Sequence, residues 1–289
     1  MGGMTVPPEP TAGTRDATPA AVTYAGVAMR RTGRGTPLVL LHALGADSGS
    51  WEPIVPALER NFTVITVDLP GFGASPPLAA SQEPTPAALA IAVAVALDEA
   101  GIREPHVVGN SIGGWVALEI AKIRPVARLT LLSPAGMWPG RTPRYCRISL
   151  RLTRSLTHRL PRMLMRLAKY RLGRLLLLGQ THGHPMRTSP EYACAAIEAM
   201  GSCPGFPATL GATRHRRYQA SSTVRDDMPP TTVAFGTRDL LLLRRSWRRT
   251  DQLPTQTAVR ELRGCGHVPM ADDPAAVVDL ITATADQRR

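Results

Sequence analysis

The sequence predicts an α/β protein, a mostly parallel central sheet with helices on both faces, interrupted by an inserted helical cap. Three observations carry that prediction. Short apolar runs alternate with helical patterns in the first half of the chain and again near its end, as expected of parallel strands covered on both faces. A Gly-x-Ser-x-Gly stretch, Gly109 to Gly113, stands between an apolar run and a helical pattern. Charge is also unevenly placed. Of 34 Lys and Arg residues, 15 fall between Met137 and Arg217, against 2 Glu, so this segment holds the whole +12 excess. Such concentration points to an insertion.

In chain order, Val22 to Met29 reads as the opening strand, with turn residues at Thr32-Gly33-Arg34-Gly35. Leu38 to Leu41 is a continuous apolar run, expected of a strand buried on both faces. Ser48 is placed to cap a helix through about Glu59, and Phe62 to Val67 is the next strand. Asp68 to Gly73 is then a loop. After the proline-punctuated stretch Ser81 to Pro86, an Ala/Leu/Ile/Val helix runs to about Ala100. His106 to Val108 is a strand, Trp115 to Ala121 a helix and Arg128 to Leu132 a further strand. Alternation resumes with strands at Thr231 to Phe235 and Val259 to Leu262, and closes with a helix from Pro274 to about Ala285. Between the blocks, Leu152, Leu156, Leu160, Leu164 and Leu167 recur at helical spacing, with Pro161 starting a second helix. The expected organisation is a disordered tail over 1–20, an α/β core over 21–136 and 225–289, and the helical cap over 137–224.

A chain of 289 residues with 44% apolar content has enough material for a full core. No run approaches the roughly 20 apolar residues of a membrane-spanning helix. The first twenty residues, rich in Pro, Thr, Ala and Gly, lack the apolar run of a signal peptide. Cys146, Cys194, Cys203 and Cys265 show neither metal-ligand spacing nor a paired pattern, which suits a reduced, cytoplasmic protein. The ratio of 32 Arg to 2 Lys is what a GC-rich genome gives, so arginine count alone assigns no function.

Serine becomes a nucleophile only when a base takes its proton, and that base needs a third group to fix its tautomer. Ser111 sits at the tip of the predicted strand–turn–helix, where Gly109 and Gly113 leave room for closely approaching backbone. Asp239 follows the strand ending at Phe235, and His267 lies in Gly264-Cys265-Gly266-His267-Val268-Pro269 after the last strand. Both fall at carboxyl ends of parallel strands, where such sheets place their sites. Asp226 and Asp227 stand at the wrong end of their strand. His42 and Asp68 read as loop-tying residues, and Cys265 as a small apolar filler. His158, His182, His184 and His215 lie in the inserted segment, where solvent exposure is expected. His182-Gly-His184 has no further ligands nearby, so no metal site is expected.

Leu-His-Ala-Leu-Gly, Val-Asp-Leu-Pro-Gly-Phe-Gly, Gly-Asn-Ser-Ile-Gly-Gly-Trp, Gly-Thr-Arg-Asp and Gly-His-Val-Pro, in that order and spacing, resemble signatures of the α/β-hydrolase fold. The resemblance covers the chain apart from the tail and the inserted segment. It implies Ser111 as nucleophile, His267 as general base and acid, and Asp239 as the orienting carboxylate. It also implies an oxyanion hole from the backbone N–H groups of Leu44 and Ile112, and no cofactor or metal. One departure stands. The family usually has His-Gly where this chain has His42-Ala43, and alanine resists positive φ. Members resembling epoxide hydrolases and haloalkane dehalogenases use aspartate as nucleophile to attack an alkyl carbon. Serine points to acyl chemistry on an ester, lactone or thioester, or at a carbon–carbon bond beside a carbonyl. The fold also accommodates elimination, cyclisation, acyl transfer and non-catalytic ligand binding.

Apolar residues of the inserted segment, such as Met163, Met165, Tyr170 and Leu175 to Leu178, suit a hydrophobic small-molecule acyl substrate, though most must pack that segment onto the core. Its basic face has three readings: a solvated surface, a steering field for anionic substrates or a carrier protein, and a contact with anionic membrane. Nucleic acid is set aside, because no aromatic interleaving or recognised motif accompanies the charge.

Overall fold

The computed structural model describes residues 20–287. The expected tail over 1–20 therefore lies, but for its last residue, outside the described residues. Among these residues, eight strands form one sheet: β1 (Val22–Tyr24), β2 (Val27–Thr32), β3 (Thr36–Leu41), β4 (Phe62–Val67), β5 (His106–Asn110), β6 (Arg128–Leu132), β7 (Thr231–Gly236) and β8 (Ala258–Leu262). Their spatial order is β1-β2-β4-β3-β5-β6-β7-β8. The pairs β1/β2 and β2/β4 are antiparallel, and every other pair is parallel. Strands β4 and β5 are buried at every position, as expected of central strands covered on both faces.

Among the described residues, eleven α-helices accompany the sheet: α1 (Val55–Leu58), α2 (Pro86–Glu99), α3 (Ile112–Ile123), α4 (Arg144–Arg159), α5 (Pro161–Ala168), α6 (Arg171–Leu178), α7 (Pro190–Ser202), α8 (Phe206–Ala212), α9 (Ser222–Asp227), α10 (Pro269–Asp272) and α11 (Pro274–Ala285). Thr85 caps α2, accepting the Ala88 N–H at 3.1 Å. The core divides across the sheet. One cluster joins Leu89, Val93 and Leu97 of α2 to Trp115, Val116 and Ile120 of α3. The other joins Trp51, Ile54 and Leu58 to Val277 and Ile281 of α11. Between β6 and β7 every regular element is a helix, α4 to α9, and this segment has a small core of its own around Leu164, Ala168 and Ile197. Pro161 starts α5 as its position predicts.

Two expectations are corrected. The single opening strand is a hairpin, because Ala25 and Gly26 adopt φ of 43° and 78° and reverse the chain. Alanine seldom takes such a φ, so the turn gave no signal. The helix expected from Ser48 to Glu59 is a 3-10 turn over Ser48–Trp51 followed by the one-turn α1. Its cap is Asp47, which accepts the Gly49 N–H at 2.9 Å, while the Ser48 N–H donates to Asp68 Oδ1 at 2.7 Å. Pro53 and Pro56 keep the turns from merging, since neither offers an N–H.

Candidate active site

The stretch from β5 to α3 makes its turn at Ser111, whose φ of 55° and ψ of −114° are uncommon for a residue with a side chain. The turn is held from several sides. Ser111 N–H donates to Leu132 O at 2.9 Å, and Ser111 O accepts from Gly114 N–H at 3.0 Å and Ala135 N–H at 2.9 Å. The two glycines are required by close approach. A Cβ on Gly109 would overlap the Gly113 carbonyl, and one on Gly113 would overlap the carbonyls of Leu41 and His42. Gly113→Ala is therefore expected to destabilise the fold by about 1–3 kcal/mol, read from the denaturant midpoint. A midpoint unchanged from the wild type would show that the end of β3 yields freely.

Asp239 lies just beyond β7, and His267 lies between β8 and α10. The two meet although 28 residues separate them, with His267 Nδ1 at 2.9 Å from Asp239 Oδ2 and both side chains buried. The other carboxylate oxygen accepts the N–H groups of Leu241 at 2.9 Å and Leu242 at 2.8 Å, so Asp239 is fixed on both sides. Burial works against its charge most strongly. The His267 charge, its hydrogen bond, the Leu242 N–H and Arg248 outweigh that cost and hold the carboxyl below its ordinary range. An ionised Asp239 accepts the Nδ1–H of His267, so the tautomer with its proton on Nδ1 is the one that leaves Nε2 a lone pair. That Nε2 is buried and has no hydrogen-bond partner.

Ser111 and His267 line one cavity of about 230 Å³. The Ser111 hydroxyl does not hydrogen-bond to Nε2 in this structure, a looseness common in sites without substrate. Leu44 lines the same cavity, and Ile112 follows Ser111 directly. Among the described residues, neither backbone N–H is engaged by another backbone group. Ala43 adopts no positive φ, and the left-handed turn falls instead on Gly45, at φ 78°. The His42-Ala43 departure thus leaves the loop unstrained at alanine. His42 supports the loop from beneath. Its ring bonds Ala43 O through Nδ1 at 2.8 Å and accepts the Leu69 N–H at Nε2 at 3.0 Å, and burial pushes its pKa down. Asp68 ties the adjoining loops through the Ser48 and Ala74 N–H groups. Burial pushes the Cys265 thiol up to about 12, keeping it neutral.

Several side chains at the site escaped sequence reasoning. Asn110 Nδ2 donates to Leu132 O and to His267 O, both at 2.9 Å, linking the serine turn to the histidine loop. Asp272 accepts the N–H groups of Gly183, His184 and Gly266, clamping the inserted segment onto that same loop. His182 was expected to be exposed. It is buried, lines the cavity beside Tyr192, bonds Thr181 Oγ1 through Nδ1 at 2.9 Å and leaves Nε2 without a partner. Residues 179–189 fold back onto the histidine loop, where the Val268 N–H donates to Thr181 O, and this covers it. His158 bonds Gly201 O on the exposed side, away from that cavity wall. His215 sits among Arg141, Arg216 and Arg217. Among the described residues, no group of three or more His, Cys, Asp or Glu side chains is placed to hold a metal ion, and no helix is long and apolar enough to cross a membrane. All four cysteines are free.

The molecule thus combines a mostly parallel sheet, a strained serine turn and a buried Asp–His pair at the ends of neighbouring strands. Residues 38–280 match the model of the alpha/beta hydrolase family, and the chain belongs to that family. It is 42% identical over 123 residues to the pimeloyl-acyl-carrier-protein methyl ester esterase of Methylococcus capsulatus. That match takes in 40% of this chain and 46% of the relative, so the chain spans about half the length of that esterase. Epoxide hydrolase EphH of Mycobacterium tuberculosis shares 28% identity over 198 residues, 66% of this chain and 90% of that protein. A thermophilic esterase from Thermogutta terrifontis superposes with a TM-score of 0.72 at 21% identity, over 92% of this chain and 97% of the other, a likeness of fold.

Proposed function

We propose that the protein is a serine esterase that cleaves a carboxylic ester, or a related lactone or thioester, of a hydrophobic acyl group. One observation carries the reading: His267, oriented by a charged Asp239, presents an unpartnered Nε2 at the cavity that Ser111 also lines. In this reading Ser111 Oγ attacks the acyl carbon while His267 Nε2 takes its proton. The oxyanion forms against the Leu44 and Ile112 N–H groups, donors worth about 3–4 kcal/mol each when removed. The intermediate collapses as His267 returns the proton to the departing alcohol. A water, deprotonated in turn by His267, releases the acid. Water is the only co-reactant.

Residues 137–224 act as the cap that walls the substrate. Leu150, Leu164, Leu178 and Ile197 line the cavity from this segment, which suits an acyl chain rather than a polar one. The pimeloyl methyl ester of that relative's name is compatible with such a pocket. The aspartate-dependent attack on an alkyl carbon is not, because position 111 is serine. The test is a panel of p-nitrophenyl esters of increasing acyl length. At about 0.8 kcal/mol per buried methylene, kcat/KM is expected to rise at least about tenfold from acetate to octanoate. Equal rates along the panel, or none, would contradict the reading.

A further inference from the structure

Of the 19 large apolar side chains exposed among the described residues, 12 lie between Tyr145 and Met186. On α4, Ile148 and Leu152 face solvent one turn apart, at 63% and 58% exposure; on and beside α6, Tyr170, Leu172 and Leu176 are at least 69% exposed. Scattered apolar residues need no account, but a run of this extent does. From Arg141 to Pro190 the chain holds 12 Lys and Arg and no acidic residue. None of these cations has an ion pair among the described residues. The apolar run also reaches the cavity. Leu156 of α4 and Leu176 of α6 are both solvent-exposed and line it, and Gln180 Nε2 donates to Tyr145 OH where the end of α6 meets α4.

We propose that the face formed by α4, α5 and α6 docks onto an anionic lipid bilayer, with the cavity mouth toward the lipid. A bilayer offers both halves of the match. Leucines and methionines enter the acyl boundary while arginines, long enough to keep their heads at the phosphates, hold the surface. A second copy would oppose the same uncompensated positive charge. Residues 1–19 bring only Met1, Met4 and Val6 as large apolar side chains, too few to cover the face. An acidic protein would satisfy the charge but leaves unexplained why apolar exposure continues into the cavity rim. From a bilayer, an acyl chain passes between Leu156 and Leu176 without crossing water.

Sedimentation of the whole chain with vesicles of phosphatidylcholine, alone or with about 30 mol% phosphatidylglycerol, tests this. Binding is expected to the anionic vesicles only and to weaken as salt is raised. Two variants separate the contributions: Arg151→Glu/Arg159→Glu/Arg162→Glu/Arg166→Glu and Ile148→Gln/Leu152→Gln/Leu172→Gln. Each is expected to lower vesicle affinity at least about tenfold. Hydrolysis of a water-soluble ester and fluorophosphonate labelling should stay as in the wild type, which also certifies folding. Equal binding to neutral and anionic vesicles, no binding to either, or wild-type affinity in both variants would overturn the proposal. So would capture of a purified acyl carrier protein through this face without vesicle binding. The binding readout needs no turnover, so a failed esterase reading and a failed docking surface are told apart.

Discussion

Ser111→Ala is expected to lower kcat on a preferred ester by on the order of 10⁵–10⁶-fold while leaving the fold intact. The size follows from losing the attacking atom, which no neighbour replaces: the nearest thiols to the Asp–His pair, Cys146 and Cys265, are both pushed up to about 12. The intact fold follows because the turn is held by backbone, not by the hydroxyl. Ser111 N–H and O make the bonds to Leu132, Gly114 and Ala135, and alanine keeps them all. Thermal unfolding is the control, with a midpoint expected within about 2 °C of the wild type. A variant that retained its rate would remove serine from the reaction and favour elimination or transfer chemistry.

Asp239→Asn is expected to cost on the order of 10⁴-fold in kcat. Its Oδ1 is committed to the Leu241 and Leu242 N–H groups, so an asparagine would set its amide nitrogen against His267 Nδ1. The imidazole must then accept at Nδ1 and hold its proton on Nε2, where it can no longer take one from serine. A stability signature accompanies the rate. The native carboxyl is held below its unfolded value, so its contribution is present above about pH 4 and is lost as pH falls through the native value. The stability gap between wild type and Asp239→Asn should therefore narrow on acidification. A gap constant down to pH 3 would mean that Asp239 carries no such linkage.

Much of this was legible because it is written locally. The strands Phe62–Val67 and Arg128–Leu132 end where their apolar runs end, and Ser111, Asp239 and His267 sit in motifs that need only a few residues of context. What escaped depends on chain return. Asn110 reaches His267 across 157 positions and Asp272 reaches Gly183 across 89, contacts that no spacing rule encodes. His182 read as exposed because it lies in the inserted segment, yet the small residues beside it let 179–189 lie flat on the histidine loop. A Cβ on Gly183 would overlap the Gly264 carbonyl, and one on Gly266 would approach Thr181 O to 2.5 Å. The Ala25-Gly26 hairpin was hidden by an alanine in a conformation it rarely adopts.

The central claim is that Ser111 is activated by His267 and Asp239, and intact-mass spectrometry after fluorophosphonate treatment tests it most directly. One phosphonyl adduct per chain is predicted for the wild type, none for Ser111→Ala and a much slower appearance for Asp239→Asn. Folded wild-type protein that takes up no label, or an adduct that persists in Ser111→Ala, would contradict it.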